Sequence, residues 1–132
     1  MRFDRFVGIP YQDRGRSLVG LDCYGLVRLV YRELRGIDLP SHAERYRTAA
    51  DEVAIAALIA GELDPWDEIA PGDEIAFDAV LIREGRFARH VGLVVTPGLM
   101  LHVEAGETSR IERYGSGALK YRIVGFYRYR AQ

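Results

Sequence analysis

Helical spacing comes first in this chain and strand-like runs come second, an order that predicts an α+β domain with an antiparallel sheet. From Cys23 the apolar positions Leu26, Val27, Val30 and Leu34 recur at the spacing of one helix face. After Asp73 the pattern changes to short runs, EIAFDAVLI, HVGLVV, LMLHV, SRIERY and RIVGFYRY, rich in β-branched and aromatic residues. Helical and strand patterns do not alternate, so βαβ units are not expected.

The elements follow in order. Phe3, Phe6 and Val7 predict a short opening helix that stops at Gly8 and Pro10. Residues 11–20, YQDRGRSLVG, carry loop chemistry. The helix from Cys23 is expected to end at Gly36. A second helix is expected over 49–60, with Thr48 and Asp51 as a capping box and Gly61 as its stop. Pro65, Pro71 and Gly72 mark turns, and Trp66 reads as a core or rim anchor. His42 lies in loop sequence and reads as a surface residue.

With 132 residues, the chain has the size of one domain, 1–132, able to bury its own core. A 48% hydrophobic and 28% charged composition argues against disorder. A net charge of −1, with both signs interspersed, supplies no general attraction for nucleic acid. One cysteine excludes an internal disulfide and makes a structural zinc site improbable, and no cofactor or metal is expected. The opening residues MRFDRFVGIPY have no apolar leader core, and no run is long enough to cross a bilayer. Cytoplasmic synthesis is therefore expected, with any role outside the cell requiring another route.

Cys23 sits in the first turn of the predicted helix. Unpartnered amides and the positive end of the helix dipole favour a thiolate there. The same amides can stabilise an oxyanion, and Gly25 leaves the backbone open to a substrate. Against this, cysteine often packs as a small buried hydrophobe, and on position alone that reading is at least as strong.

Two histidines shift the balance. His90 and His102 flank the hairpin HVGLVVTPGLMLH. A two-residue Pro97-Gly98 loop pairs even positions with odd ones and splits the apolar set between faces. An odd-length loop or a bulge instead gathers Val91, Leu93, Val95, Leu99, Leu101 and Val103 on one face. His90, Gly92 and Val94 then share the other face with Met100, His102 and Glu104, so the histidines become neighbours. Gly92 leaves a gap there for a close helix approach. One imidazole can serve as base and the other can hold its tautomer. For a lone strand histidine a structural role is commoner; two on one face plus a helix-start cysteine is a rarer coincidence.

These residues resemble the NlpC-type cell-wall cysteine peptidases. LDCYGLV matches the motif that opens the catalytic helix, RHVGLVV the strand that supplies the base, and LMLHV the strand that supplies the third residue. GIPY and PGDEIAF match further segments, and ERY and VGFYR resemble compact members from phage and prophage tail tips. The resemblance implies a papain-like core, with N-terminal helices on a five- to six-stranded antiparallel sheet. It implies Cys23 as nucleophile, His90 as base and His102 as orienting residue, with Tyr11 near the oxyanion or substrate. Asp22 is either a substrate contact or the helix N-cap. Tyr24 replaces the family's usual serine and is expected to narrow the cleft or reshape the subsite. YQDRG keeps one glycine where the family often has a pair, which predicts a stiffer loop.

The implied activity is hydrolysis of an amide in peptidoglycan stem peptides, with the γ-D-glutamyl to diamino-acid bond as the precedent. The implied setting is a phage or phage-derived tail tip, with tail-tip hub proteins as partners. The rival reading is an assembly subunit of that tip with little or no hydrolysis; a weaker third is a cytoplasmic acyltransferase or amidase. The Tyr/Arg alternation in YRIVGFYRYR reads as a strand with one wet face, open to use as an edge for a partner.

Overall fold

The computed structural model describes residues 2–12, 15–39, 66–85 and 87–130, with side chains omitted at 87–89. The expected helix over 49–60 and the loop residue His42 lie outside these residues.

The chain opens with a single 3-10 turn, Asp4–Phe6, in place of the expected helix. Phe3 and Phe6 are buried, but Val7 is exposed, so three apolar residues at helical spacing make one turn and no continuing face. Within the expected loop, a small ladder pairs β1 (Arg16–Ser17) with β2 (Gly20–Leu21). Helix α1 (Cys23–Val30) follows, and its last turn widens into a π-helical turn, Tyr31–Arg35. Gly36, at φ 66°, ends it as expected. Leu26, Val27 and Val30 are almost wholly buried, each burial being worth about 1.5–3 kcal/mol.

Six strands form the main sheet: β3 (Trp66–Ile69), β4 (Ala79–Glu84), β5 (Phe87–Thr96), β6 (Leu99–His102), β7 (Arg110–Arg113) and β8 (Ile123–Tyr129). A short helix α2 (Gly117–Lys120) precedes β8. The strand order is β3-β8-β4-β5-β6-β7, with every pairing antiparallel. The α+β expectation with a six-stranded antiparallel sheet therefore holds. The Tyr/Arg-rich strand β8 lies between β3 and β4, so it is no free edge.

The sheet separates two apolar clusters. On one face Val91, Leu93, Val95, Leu101 and Val103 pack with α1 residues Leu26, Val27 and Val30. On the other, Val80, Ile82, Val94 and Met100 pack with Tyr114, Leu119 and Phe126. This is the odd and even division that hydrophobic parity predicts for β5 and β6. The register shows how it arises. Thr96 pairs with Leu99 across Pro97-Gly98, and a bulge then shifts the ladder to Val94↔Met100 and Leu93↔Leu101.

The expected strand EIAFDAVLI begins only at Ala79, because residues before it form a tight turn. Asp78 Oδ2 accepts the Ile75 N–H at 2.8 Å, and Arg128 grips the same carboxylate with two 2.9 Å bonds. Phe77 takes a left-handed φ of 77° that a side chain ordinarily avoids. It is held there from both sides: its carbonyl accepts the Tyr31 hydroxyl at 2.6 Å, and its N–H donates to Val94 at 2.8 Å. Trp66, an anchor as expected, joins Tyr31 and Tyr129 in an aromatic cluster with ring centroids 5.4–5.9 Å apart.

Candidate active site

The site assembles where the start of α1 meets β5. Asp22 is the N-cap of α1: its Oδ1 accepts the Gly25 N–H at 2.7 Å. The same oxygen pairs with Arg16 Nη1 at 2.7 Å, and the carboxylate is almost fully buried. Pairing by a cation and an amide is what permits a carboxylate at this depth.

Gly25 serves packing within the chain, not access for a substrate. A Cβ built there overlaps the Gly15 carbonyl oxygen. The same carbonyl accepts from Arg16 at 2.9 Å and from the Asp22 amide at 3.3 Å. The missing side chain thus lets the preceding loop lie on the helix start. Tyr24 is buried in the main core with the Arg16 guanidinium 5.6 Å from its ring centre. Tyr11 is half-buried against the same core; it forms a parallel bridge to Leu21, two residues before Cys23.

Cys23 is buried. β5–β6 pairing runs from Thr96 back to Leu93; two residues beyond it, the Val91 amide lies near the Cys23 sulfur, as does the Tyr24 amide from the helix, and both favour its ionised form. The sulfur therefore lies against the peptide that follows His90. Among the described contacts no hydrogen bond joins the thiol to an imidazole. Burial pushes the thiol up to about 12, with the Asp22 carboxylate adding to the effect and the two amides opposing it. This corrects the expectation of a thiol lowered by its helix-start position: loss of solvent outweighs the helix field.

His90 and His102 meet on one face, with Nε2 of His90 2.9 Å from Nδ1 of His102 and ring centroids 5.1 Å apart. Both are buried. The gap at Gly92 admits no helix; a Cβ there would press on His102 Cβ, Leu101 O and Met100 Sδ, each at 3.2 Å. Its absence makes room for the second imidazole. Burial drives both histidines below their ordinary range; the neighbouring ring adds to this for His90, and the bond that His102 donates to Glu112 partly opposes it for His102.

The resting pair is thus neutral. As pH falls below about 6.5, the unfolded chain protonates these histidines while the native protein resists, so stability declines. Between pH 7 and 5, His90 alone is expected to remove about 2 kcal/mol. Above pH 7 its contribution is flat. Urea midpoints at pH 5, 6 and 7 check this, and His90→Gln is expected to flatten the slope. An unchanged midpoint in the wild-type protein contradicts a buried neutral pair.

Sequence reasoning missed the polar shell around this pair. His102 Nε2 lies 2.8 Å from Glu112 Oε1. Arg110 Nη2 pairs with Glu104 at 2.7 Å and with Glu112 at 3.1 Å, while Arg122 joins Glu104 and Glu84 at 3.4 and 3.6 Å. Strand alternation in SRIERY carried the signal, since Arg110 and Glu112 share parity, but their register against His102 depends on a loop whose path the sequence does not specify. Among the described residues, His102, Glu104 and Glu112 bring donor atoms within 4.8 Å of one another. Arg110 already supplies the positive charge between the two carboxylates, so the donor set fits a metal ion poorly.

No described helix is long and apolar enough to cross a membrane. Comparison with known proteins places the chain in a wider group. The profile described as the NlpC/P60 family matches residues 8–128. The γ-D-glutamyl-L-lysine dipeptidyl-peptidase of Bacillus subtilis (strain 168) is 35% identical over 98 residues, covering 74% of this chain and 28% of that protein. The murein DD-endopeptidase MepS/murein LD-carboxypeptidase of Escherichia coli (strain K12) is 27% identical over 95 residues, covering 72% and 42%. The chain thus spans less than half the length of either relative. In fold it is similar to an NLP/P60 family lipoprotein-like structure from Staphylococcus aureus Mu50, with a TM-score of 0.70 at 21% identity, covering 99% of this chain and 41% of that one.

Proposed function

The chain belongs to the NlpC/P60 family, and from that membership we propose that it is a cysteine peptidase of bacterial peptidoglycan, cleaving an amide in the stem peptide. The observation that carries this reading is the convergence at β5: the Cys23 sulfur lies near the Val91 amide, and His90, the residue before Val91, has its ring 2.9 Å from that of His102.

The chemistry follows from these groups. The thiol proton passes to Nδ1 of His90 as the sulfur attacks the substrate carbonyl carbon. A lone thiolate is disfavoured in this pocket, but one made together with an imidazolium is not alone. The tetrahedral oxyanion takes hydrogen bonds from the helix start. There Gly25 N–H is committed to Asp22 and Tyr24 N–H faces the sulfur, so we assign the role to the Cys23 N–H, with Tyr11 alongside. Collapse breaks the C–N bond, and the His90 proton leaves on the amine. Water, deprotonated by His90, then attacks the thioester and releases the acid and the thiol. Asp22 holds the helix start, and we assign it a second role toward a free substrate amine. Tyr24 acts from beneath, through Arg16, because its ring is in the core.

The bond we favour is γ-D-glutamyl to diamino acid, since the Bacillus subtilis relative is named for a γ-D-glutamyl-L-lysine bond. Tail-like features at ERY and VGFYR support a place in a phage or phage-derived tail tip with hub proteins as partners. Digesting purified peptidoglycan and identifying products by mass spectrometry tests the reading. A new free amine on the diamino acid is expected; cleavage only in the glycan strand, or no cleavage, overturns it.

A further inference from the structure

We propose that Glu112 is a positioning residue: its carboxylate fixes the hydrogens on His102 and, through it, on His90, leaving Nδ1 of His90 bare to receive the Cys23 proton. The proposal deepens the hydrolase reading and rests on it for its catalytic consequence.

Three residues on adjacent strands share the even face of the sheet: His90 on β5, His102 on β6 and Glu112 on β7. They form a continuous chain, with His90 Nε2 to His102 Nδ1 at 2.9 Å and His102 Nε2 to Glu112 Oε1 at 2.8 Å. A neutral imidazole carries one N–H and one bare nitrogen, whereas a carboxylate only accepts. Contact with Glu112 therefore requires the hydrogen of His102 on Nε2. His102 Nδ1 is then an acceptor, so the hydrogen of neutral His90 must be on Nε2. One choice remains for His90 Nδ1: it has no hydrogen and can take one.

The same arrangement serves after proton transfer. His90 gains a hydrogen at Nδ1 and keeps its Nε2–H on His102, so no ring has to turn. Without an acceptor at position 112, His102 can instead carry its hydrogen on Nδ1 and donate to His90. His90 Nδ1 then bears a hydrogen and cannot act as base. A histidine in the wrong tautomer loses most of its catalytic value.

Oε1 of Glu112 receives two donors, since Arg110 Nη2 also lies 3.1 Å from it. This makes a discriminating variant available. In Glu112→Gln the two donors draw the amide oxygen to the Oε1 position, preserving an acceptor without the charge. Glu112→Ala removes the acceptor altogether. The side chain is 40% exposed, so neither change opens the core.

The test uses protein labelled with 15N histidine and reads ring nitrogen shifts at pH 7, beside kcat and KM on a muropeptide. In the wild type both rings are expected as Nε2–H tautomers. Glu112→Ala is expected to give mixed tautomers and a kcat lowered about 10–100-fold at nearly unchanged KM. Glu112→Gln is expected to keep the tautomers and remain within a few-fold of wild-type kcat. A wild-type His90 carrying hydrogen on Nδ1, or wild-type tautomers persisting in Glu112→Ala, overturns the proposal. So does Glu112→Gln as impaired as Glu112→Ala with its tautomers unchanged. If the tautomers respond as stated but the wild-type protein cleaves no muropeptide, the positioning role stands and the hydrolase reading falls.

Discussion

Cys23→Ala is expected to lower muropeptide hydrolysis by at least about 10³-fold while leaving the fold intact. Removing the sulfur removes the covalent route, and no other group in the site can form the thioester. His90, His102 and Asp22 remain to bind and polarise, which is why a small residual rate is compatible with the account. The structural cost is low. The change deletes one buried atom beside the Val91 and Tyr24 amides, and it relieves the pressure that Asp22 puts on an ionising neighbour. A melting temperature within a few degrees of wild type, together with the lost rate, is the expected pair of results. Cleavage at more than a tenth of the wild-type rate removes Cys23 from the chemistry.

Gly25→Ala is expected to have the largest effect on stability, about 3 kcal/mol or more. Substitution of glycine by alanine inside a helix ordinarily helps by up to about 1 kcal/mol. Here the added methyl collides with the Gly15 carbonyl oxygen, which is backbone and already bonded to Arg16 and to the Asp22 amide. To make room, the loop before α1 must lift, which loosens the Arg16–Asp22 pair and with it the cap of the helix that carries Cys23. Urea unfolding measures the loss, and the same variant is expected to lose activity. A Gly25→Ala protein as stable as the wild type contradicts the close packing of this loop on the helix.

What could be read from the sequence was set by pattern, and what could not was set by contacts far along the chain. Hydrophobic parity alone put His90 and His102 on one face, because a one-residue slip would have turned Leu93 or Leu101 out of the core. It left open whether the hairpin had a longer loop or a bulge, and the structure has the bulge beside Val95. The helix from Cys23 and its stop at Gly36 followed from spacing. Two-residue strands such as β1 and β2 leave too little pattern to detect. The late start of β4 depends on Arg128, 50 residues beyond Asp78, and on Tyr31, 46 residues before Phe77, together with the left-handed turn at Phe77 that no composition signals. The thiol was misjudged for a similar reason. A helix start is a local feature, whereas burial beneath β5 is a tertiary one, and burial has the larger effect on charge. Glu112 escaped notice because its partner lies on a strand reached through an irregular loop.

The central claim is that the Cys23 sulfur attacks the substrate with His90 as its base, and the most direct measurement is of the bond it forms. A stem-peptide analogue with a diazomethyl ketone in place of the scissile amide can be incubated with the protein and the adduct mapped by peptide mass spectrometry. One equivalent on Cys23, blocked by excess stem peptide and lost in His90→Ala, is the predicted result. A wild-type protein that hydrolyses the stem peptide yet carries the label elsewhere, or labels equally in His90→Ala, contradicts it.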